Sequence, residues 1–335
     1  MKILATGATG YLGRAVAACL HAGGHQVVAL CRPGSASRLP PGVRPVDGDV
    51  LDSGSVRRAL RGCDALVHMA AMVRMWSADP GEFDRVNVDS LTALLRAAEE
   101  AGIGRILTTS SVVALGPTDG TIGDETTERA VLRFSTDYER TKWRAERVVR
   151  ESVTAGLPIV TVYPGVVYGP GAPTRGNLLR GLLQRYHEGR LRTRLGRSDR
   201  RICYAYIDDV ARGHLLALDG GRPGSGYILG GENATQADLF AILQEISGHP
   251  PPRITVPYWA GEALGRCLQV VARVTGFEPP VTAGVVATFR HEWAYSSERA
   301  IRELGYRVTP LREGLARTLG ASAGTARENG GGVRT

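Results

Sequence analysis

The chain has 335 residues, 43% of them hydrophobic and 22% charged, a balance that excludes extensive disorder and predicts one large domain with a smaller lobe. Its net charge of +8 is spread along the sequence without a recognition motif, so nucleic acid is not an expected partner. The five cysteines, Cys19, Cys31, Cys63, Cys203 and Cys267, are scattered and form no C-x-x-C pair, which points to a reducing compartment with neither disulfides nor a metal site. The first predicted element is a strand over residues 2–6 that runs without a linker into Gly7, Gly10 and Gly13. A helix follows, with Leu12, Val16 and Leu20 on one face. In such a turn Gly7 allows the sharp bend, Gly10 lets the backbone approach a pyrophosphate, and Gly13 lets the helix pack closely on the strand. The helix N-terminus then presents N–H groups and a positive dipole end to a phosphate.

A second strand, 26–31, ends in Arg32. An acidic residue at this position bonds an adenosine ribose 2′-hydroxyl, whereas an arginine accommodates a 2′-phosphate. Arg32 therefore predicts NADP(H) over NAD(H), with Arg38 in the following loop as a second phosphate contact. A third strand over 44–50 closes with Asp49 and Val50, and Asp49 is expected to face the adenine amino group. Residues 63–71 form a fourth, whose small end residues, with Met69, Ala70 and Ala71, suit a backbone passing close to the cofactor. A helix over 87–101 leads to a fifth strand, 105–111, ending in Thr109, Ser110 and Ser111. Strands alternating with helices at this spacing give right-handed βαβ units and an α/β fold with a doubly wound, Rossmann-type parallel sheet. Ligands sit at the carboxyl ends of such strands, the edge on which Gly7, Arg32, Asp49, Ala70 and Ser111 all fall.

Tyr138 and Lys142 are four residues apart in a segment of helical character, so both side chains lie on one face. A neighbouring ammonium favours the phenolate and is expected to move the tyrosine pKa down from about 10 toward working pH, as a general acid or base requires. A ketone under reduction needs a proton at oxygen while hydride arrives at carbon, and Ser111 is placed to hold that oxygen.

The chain resembles the extended short-chain dehydrogenase/reductase superfamily, in its epimerase/dehydratase group, over roughly residues 1–315. The resemblance rests on Thr6-Gly7-Ala8-Thr9-Gly10-Tyr11-Leu12-Gly13, His68-Met69-Ala70-Ala71, Asn87-Val88-Asp89, Thr109-Ser110-Ser111 with Gly116, Tyr138-x-x-x-Lys142, Tyr163-Pro164-Gly165-Val166-Val167-Tyr168, and Tyr206-Ile207-Asp208-Asp209-Val210-Ala211. It is similar above all to dihydroflavonol-reductase-like and hopanoid-associated epimerase-like members. The resemblance implies a Ser111, Tyr138 and Lys142 triad, in which Lys142 also orients the nicotinamide ribose. It further implies cofactor contacts from Thr6, Thr9, Tyr11, Leu12, Met69, Asn87, Thr109, Ser110 and the stretch Tyr163, Pro164, Gly165 and Val166. Dehydratases of the group carry Asp-Glu just after the triad hydroxyl, where this chain has Val112-Val113. Members that grip nucleotide diphosphates place an arginine where this chain has Ile202, with Arg200 and Arg201 displaced from it.

The expected division is a nucleotide-binding domain over 1–170, to which 204–230 returns; a substrate lobe over 171–203 and 231–320; and an unstructured tail over 321–335. Met72, Met75, Trp76, Phe134, Val167, Tyr168, Asn177, Leu178, Tyr204 and Tyr258 are candidates for an apolar pocket wall. Two functions compete: NADPH-dependent reduction of a ketone on a hydrophobic small molecule, and epimerisation of a nucleotide-linked sugar with a retained cofactor. A non-catalytic cofactor-sensing protein is a third. No apolar run reaches membrane-spanning length, and an apolar strand starting at residue 2 leaves no room for a signal segment, so a soluble cytoplasmic protein is expected. The resemblance also implies a homodimer packed through helices on the sheet.

Overall fold

Residues in β1 (Lys2–Thr6) alternate between two faces, Ile3 and Ala5 on one and Leu4 on the other, and both faces are buried. That double burial requires helices on either side of a sheet, and the computed structural model, which describes residues 1–171, 177–197 and 199–329, provides them. After β1 come α1 (Tyr11–Ala22), β2 (Gln26–Cys31), β3 (Arg44–Asp47), α2 (Ser53–Leu60) and β4 (Ala65–His68). There follow α3 (Gly81–Asp84), α4 (Ser90–Glu100), β5 (Arg105–Thr109), α5 (Val112–Leu115), α6 (Asp137–Thr154), β6 (Ile159–Pro164) and β7 (Val166–Tyr168). The chain continues through α7 (Leu178–His187), β8 (Thr193–Leu195), β9 (Arg201–Tyr206), α8 (Ile207–Gly220), β10 (Gly226–Leu229) and β11 (Glu232–Thr235). Last are α9 (Gln236–Ser247), β12 (Ile254–Val256), α10 (Tyr258–Thr275), α11 (Ala283–Thr288), α12 (Glu298–Leu304) and α13 (Leu311–Asn329).

The main sheet has seven parallel strands in the order β10-β6-β5-β4-β1-β2-β3. On one face, Val16, Ala17 and Leu20 of α1 and Val210, Ala217 and Leu218 of α8 pack against Ile3, Ala5, Val27 and Val67. On the other, Val56 and Leu60 of α2, Leu91, Leu94 and Leu95 of α4 and Ala145 and Val149 of α6 pack against Leu4, Leu66 and Ile106. Each fully buried Leu or Ile contributes roughly 1.5–3 kcal/mol by leaving water. The strand order reverses at β1, so the crevice between the ends of β1 and β4 lies where such sheets bind ligands.

Beside this sheet, β11-β9-β7 forms a second, three-stranded sheet. It carries Tyr168, Tyr204 and Tyr206 into a core with Leu183 of α7, Phe240 of α9 and Leu315 of α13. Residues 226–229 thus complete the main sheet, while the strand that holds Tyr204 does not enter it. α13 runs through Asn329 where the composition predicts an unstructured tail; Ala321, Ala323 and Ala326 favour helix there, and residues 330–335 lie outside the described residues. Among the described residues no helix is long and apolar enough to cross a membrane.

Candidate active site

The site is built first on glycines. Gly7 leaves β1 with φ +75°, and a Cβ there would lie 2.6 Å from the Ala70 nitrogen, so the ends of β1 and β4 meet only because this residue has no side chain. A Cβ on Gly13 would collide with the Gly7 carbonyl oxygen, which fixes how closely α1 folds back on the turn. Gly10 is exposed, caps α1 without any side-chain bond, and has only the Gly7 oxygen near it at 3.2 Å. The first N–H groups of α1 therefore face open space in a cradle that a larger residue would fill. These residues fit the pyrophosphate of a dinucleotide. Gly13→Ala should cost roughly 1–3 kcal/mol of stability through overpacking and weaken dinucleotide binding, measured by thermal melts with and without nucleotide.

The Thr6 hydroxyl locks β1 to β4. It accepts from the Met69 and Ala70 nitrogens at 3.3 Å each and meets His68 Nδ1 at 2.8 Å. With two bonds accepted, the hydroxyl donates to Nδ1, which leaves the His68 proton on Nε2. Burial first, and the nearby Lys142 charge second, push the His68 pKa down to about 3, so this ring is neutral. At the far side of the crevice, Arg32 follows β2 directly. The turn bonds from the Ser35 nitrogen and hydroxyl to the Arg32 carbonyl, and from Arg38 nitrogen to the Ser35 carbonyl, bring both arginines into one short loop. Both are exposed and neither forms an ion pair among the described residues. Asp49 and Val50 stand half-buried just past β3, with the Asp49 carboxylate accepting from the Leu51 nitrogen at 3.0 Å. Thr9, Leu12 and Ala71 are half-buried at the same edge. Tyr11 ties the glycine turn to the other lobe by donating to the Gly169 carbonyl at 2.9 Å.

Ser111, Tyr138 and Lys142 converge. Ser111 caps α5, and Thr136 caps α6 so that Tyr138 sits in its first turn. The Ser111 hydroxyl lies near enough to the Tyr138 phenol to favour its ionised form. Lys142, one turn further, is buried and donates from Nζ to the Thr109 carbonyl at 3.0 Å, while Ser110 is held by its nitrogen on the Val162 carbonyl at 2.8 Å. The electrostatics differ from the sequence expectation. Burial pushes Tyr138 up to about 12, against the lowering effect of Ser111, and burial likewise brings Lys142 down to about 8, with Glu146 pulling the other way. The Tyr138 side chain is half-buried in the first turn of α6. Desolvation thus outweighs the expected effect of the ammonium, and Tyr138 keeps its proton across the neutral range.

Several predicted contacts fall elsewhere. A π-helical turn over Arg85–Asp89 carries Asn87 inward, where its amide accepts from the Met72 nitrogen at 2.7 Å and donates to Thr141 at 3.0 Å. Asn87 therefore braces the strand end and α6 with both ends of its amide. Tyr163 points into the core and donates to Glu146 at 2.6 Å, so of that stretch only the backbone and the exposed Val166 side chain face outward; Pro164 ends β6, and Gly165 packs on Cys203. Tyr168 and Tyr204 are core residues of the smaller sheet, with the Tyr168 ring 5.7 Å from that of Tyr206. Tyr258 donates to the Phe289 carbonyl at 2.9 Å. Phe134 lies between Trp143, at 5.5 Å, and the Arg129 guanidinium, at 4.8 Å. Met72 is buried, and Val167 packs partly against the main core, while Met75 and Trp76 stay half-buried beyond β4. Asn177 caps α7 by accepting from the Arg180 nitrogen at 2.9 Å; its Nδ2 is buried without a partner among the described residues. The Leu178 side chain lies outside the described residues.

Three supporting groups escape the sequence. Arg129 and Glu139 form a buried ion pair at 2.6 Å beside Tyr138. Glu146, one turn past Lys142, is buried, and the lysine–glutamate spacing at i and i+4 is the signal that could have found it. His214 accepts at Nε2 from the Thr109 hydroxyl at 3.0 Å and donates from Nδ1 to the Val210 carbonyl at 2.8 Å; burial holds its pKa at about 4. A cavity of about 560 Å³ lies along α6, lined by Trp143, Glu146, Arg147 and Arg150 among others and by none of Ser111, Tyr138 and Lys142.

Comparison with known proteins agrees with this fold. The model of the NAD dependent epimerase/dehydratase family matches residues 3–230. The chain is 31% identical over 337 residues to a 2-alkyl-3-oxoalkanoate reductase of Stenotrophomonas maltophilia, covering 96% of this chain and 100% of that one. It is 34% identical over 260 residues to sterol demethylase protein B of Methylococcus capsulatus, covering 77% and 78%. The crystal structure of gox2253 superposes with a TM-score of 0.82 at 33% identity, covering 97% of this chain and 99% of that one.

Proposed function

The chain belongs to the NAD-dependent epimerase/dehydratase family, and from that premise we propose that it reduces a ketone, or oxidises the corresponding alcohol, on a largely hydrophobic small molecule with NADP(H). The observation that carries this reading is the convergence of Tyr138, Ser111 and Lys142 at the carboxyl edge of the sheet. Relatives named as a reductase of oxoalkanoates and as a sterol demethylase component support a lipophilic carbonyl substrate.

When bound, a nicotinamide dinucleotide supplies the hydride. Gly7, Gly10, Gly13 and the start of α1 would hold its pyrophosphate, Arg32 and Arg38 its 2′-phosphate, and Lys142 its ribose. Ser111 orients the substrate oxygen, and Tyr138 Oη, protonated up to a pKa of about 12, donates its proton to that oxygen. Lys142 then stabilises the phenolate left behind, because a buried positive charge acts strongly at short range. Holding substrate and acid in one arrangement removes part of the entropic barrier.

Arg201 weighs against a grip on nucleotide diphosphates. Its guanidinium is paired with Glu292 at 2.9 Å, and it holds that carboxyl down at about 2. Ile202 pairs with Ala234 in the small sheet.

Because Lys142 has a pKa of about 8, reduction rates should stay level at lower pH and fall about tenfold per unit above it, as the ammonium is lost. A profile of kcat from pH 6 to 10 checks this, and Lys142→Met should remove the alkaline limb together with most of the rate. The reading itself is tested by following NADPH oxidation against alkyl, aryl and polycyclic ketones. Consumption of NADPH with formation of the alcohol supports it. No consumption, together with calorimetric binding of nucleotide-linked sugars, assigns the site to epimerisation instead.

A further inference from the structure

α10 turns the usual helix pattern inside out. Its buried positions are small, Gly261, Gly265 and Ala272, and Gly261 packs against Leu195 and Val286. Its large apolar residues face solvent: Val274 is 84% exposed, Trp259 71% and Val270 61%, with Leu264, Val271 and, just past the helix, Phe277 also exposed. Trp259, Ala263, Cys267, Val270 and Val274 follow helical spacing, so they form one continuous stripe along the helix. Scattered exposed apolar residues are ordinary; a stripe the length of a helix marks a surface that meets another apolar phase.

Charge indicates which phase. Arg266 and Arg273 lie at one edge of the stripe, both exposed, Arg266 with its guanidinium 3.7 Å from the Glu262 carboxylate it shares with Arg290. Glu262 is the only acid in α10, and it is turned inward, with its carboxylate 2.6 Å from Arg290. An apolar stripe ending in tryptophan and flanked by arginines matches an anionic lipid surface, where the apolar side enters the acyl boundary and the guanidinium groups meet headgroup phosphates. We propose that α10 docks the protein reversibly on anionic membrane surfaces.

The position of α10 gives the docking a use. α10 packs on α11, where a Cβ on Gly265 would strike the Ala283 backbone, and α11 packs on the segment that opens α6, where a Cβ on Gly284 would strike the Ser135 carbonyl. Tyr138 is three residues further on. A lipid surface held by α10 thus lies two packed helices from the segment that carries Tyr138. The docking rests on the exposed surface alone; its use rests on the proposed function.

Flotation of the full chain with vesicles, without substrate or nucleotide, separates the two. Binding is expected to vesicles of phosphatidylglycerol and phosphatidylcholine, and to weaken in pure phosphatidylcholine and in high salt. Val270→Glu with Val274→Glu should reduce partitioning about tenfold or more, and Arg266→Gln with Arg273→Gln about fivefold per charge. Both variants change exposed residues, so circular dichroism melts should match the parent. Failure of the parent to float, or equal flotation of the Val270/Val274 variant, overturns the docking. A concentration-dependent dimer in light scattering that the same variant abolishes, without vesicle binding, assigns the stripe to a second copy of the chain and overturns it as well. None of these readouts depends on ketone reduction.

Discussion

Tyr138→Phe should lower the rate of ketone reduction by about 10²–10⁴-fold while leaving dinucleotide affinity within about twofold of the parent. The substitution removes one oxygen, which lies beside the Ser111 hydroxyl. Phenylalanine fills the same space, so the first turn of α6 and its Thr136 cap keep their geometry, and the Ser111 hydroxyl still accepts from the Val113 nitrogen. What is lost is the proposed proton donor. Steady-state turnover and fluorescence titration on the same preparation separate the two effects. Turnover equal to the parent's would show that this hydroxyl takes no part in the chemistry.

The largest loss of stability is expected at Arg129 and Glu139. Their side chains are 3% and 5% exposed and 2.6 Å apart. Arg129 also donates to the Val113 carbonyl at 3.1 Å, and Glu139 accepts from the Ser135 nitrogen at 2.8 Å. The pair therefore ties α5, which begins beside Ser111, to the start of α6, which carries Tyr138. Arg129→Met or Glu139→Leu alone leaves the other charge buried without its partner, and each should destabilise the protein by about 3–5 kcal/mol in urea unfolding. The double variant should recover much of that loss, because it removes both charges together. Single variants within about 0.5 kcal/mol of the parent would mean that water reaches this pair.

The sheet was legible because its strands are nearly continuous apolar runs punctuated by glycines, and because the order of motifs matched a known family. Strand ends were harder. The third strand stops at Asp47, its last ladder bond running from the Gly48 nitrogen to the Cys31 carbonyl, three residues before the expected end. That Tyr138 and Lys142 share one face of α6 was readable from their i, i+4 spacing, whereas the electrostatic balance between them was not. It depends on how much protein surrounds the phenol, and spacing does not report that. Aromatic candidates for the pocket wall divided for the same reason. Tyr168 and Tyr204, like the cofactor candidate Tyr163, point into cores formed with elements distant in sequence, and a period-two pattern does not say which face another element covers. α10 is the reverse case: its apolar spacing reads as a core-facing stripe, yet glycine and alanine on the other side form the packed face. The Arg129–Glu139 pair brings a loop residue onto a helix through tertiary folding alone, and nothing local announces it.

The central claim is that an arginine-tipped nucleotide site feeds a tyrosine acid. Parallel titration of the purified chain with NADPH and NADH, after release and identification of any nucleotide already bound, tests it most directly. The account predicts exchangeable binding that strongly prefers NADPH and loses that preference in Arg32→Ala, with NADPH oxidised when a lipophilic ketone is added. Tightly held NAD(H) that survives purification, with no preference set by Arg32, would contradict it and point to a retained cofactor of the epimerase kind.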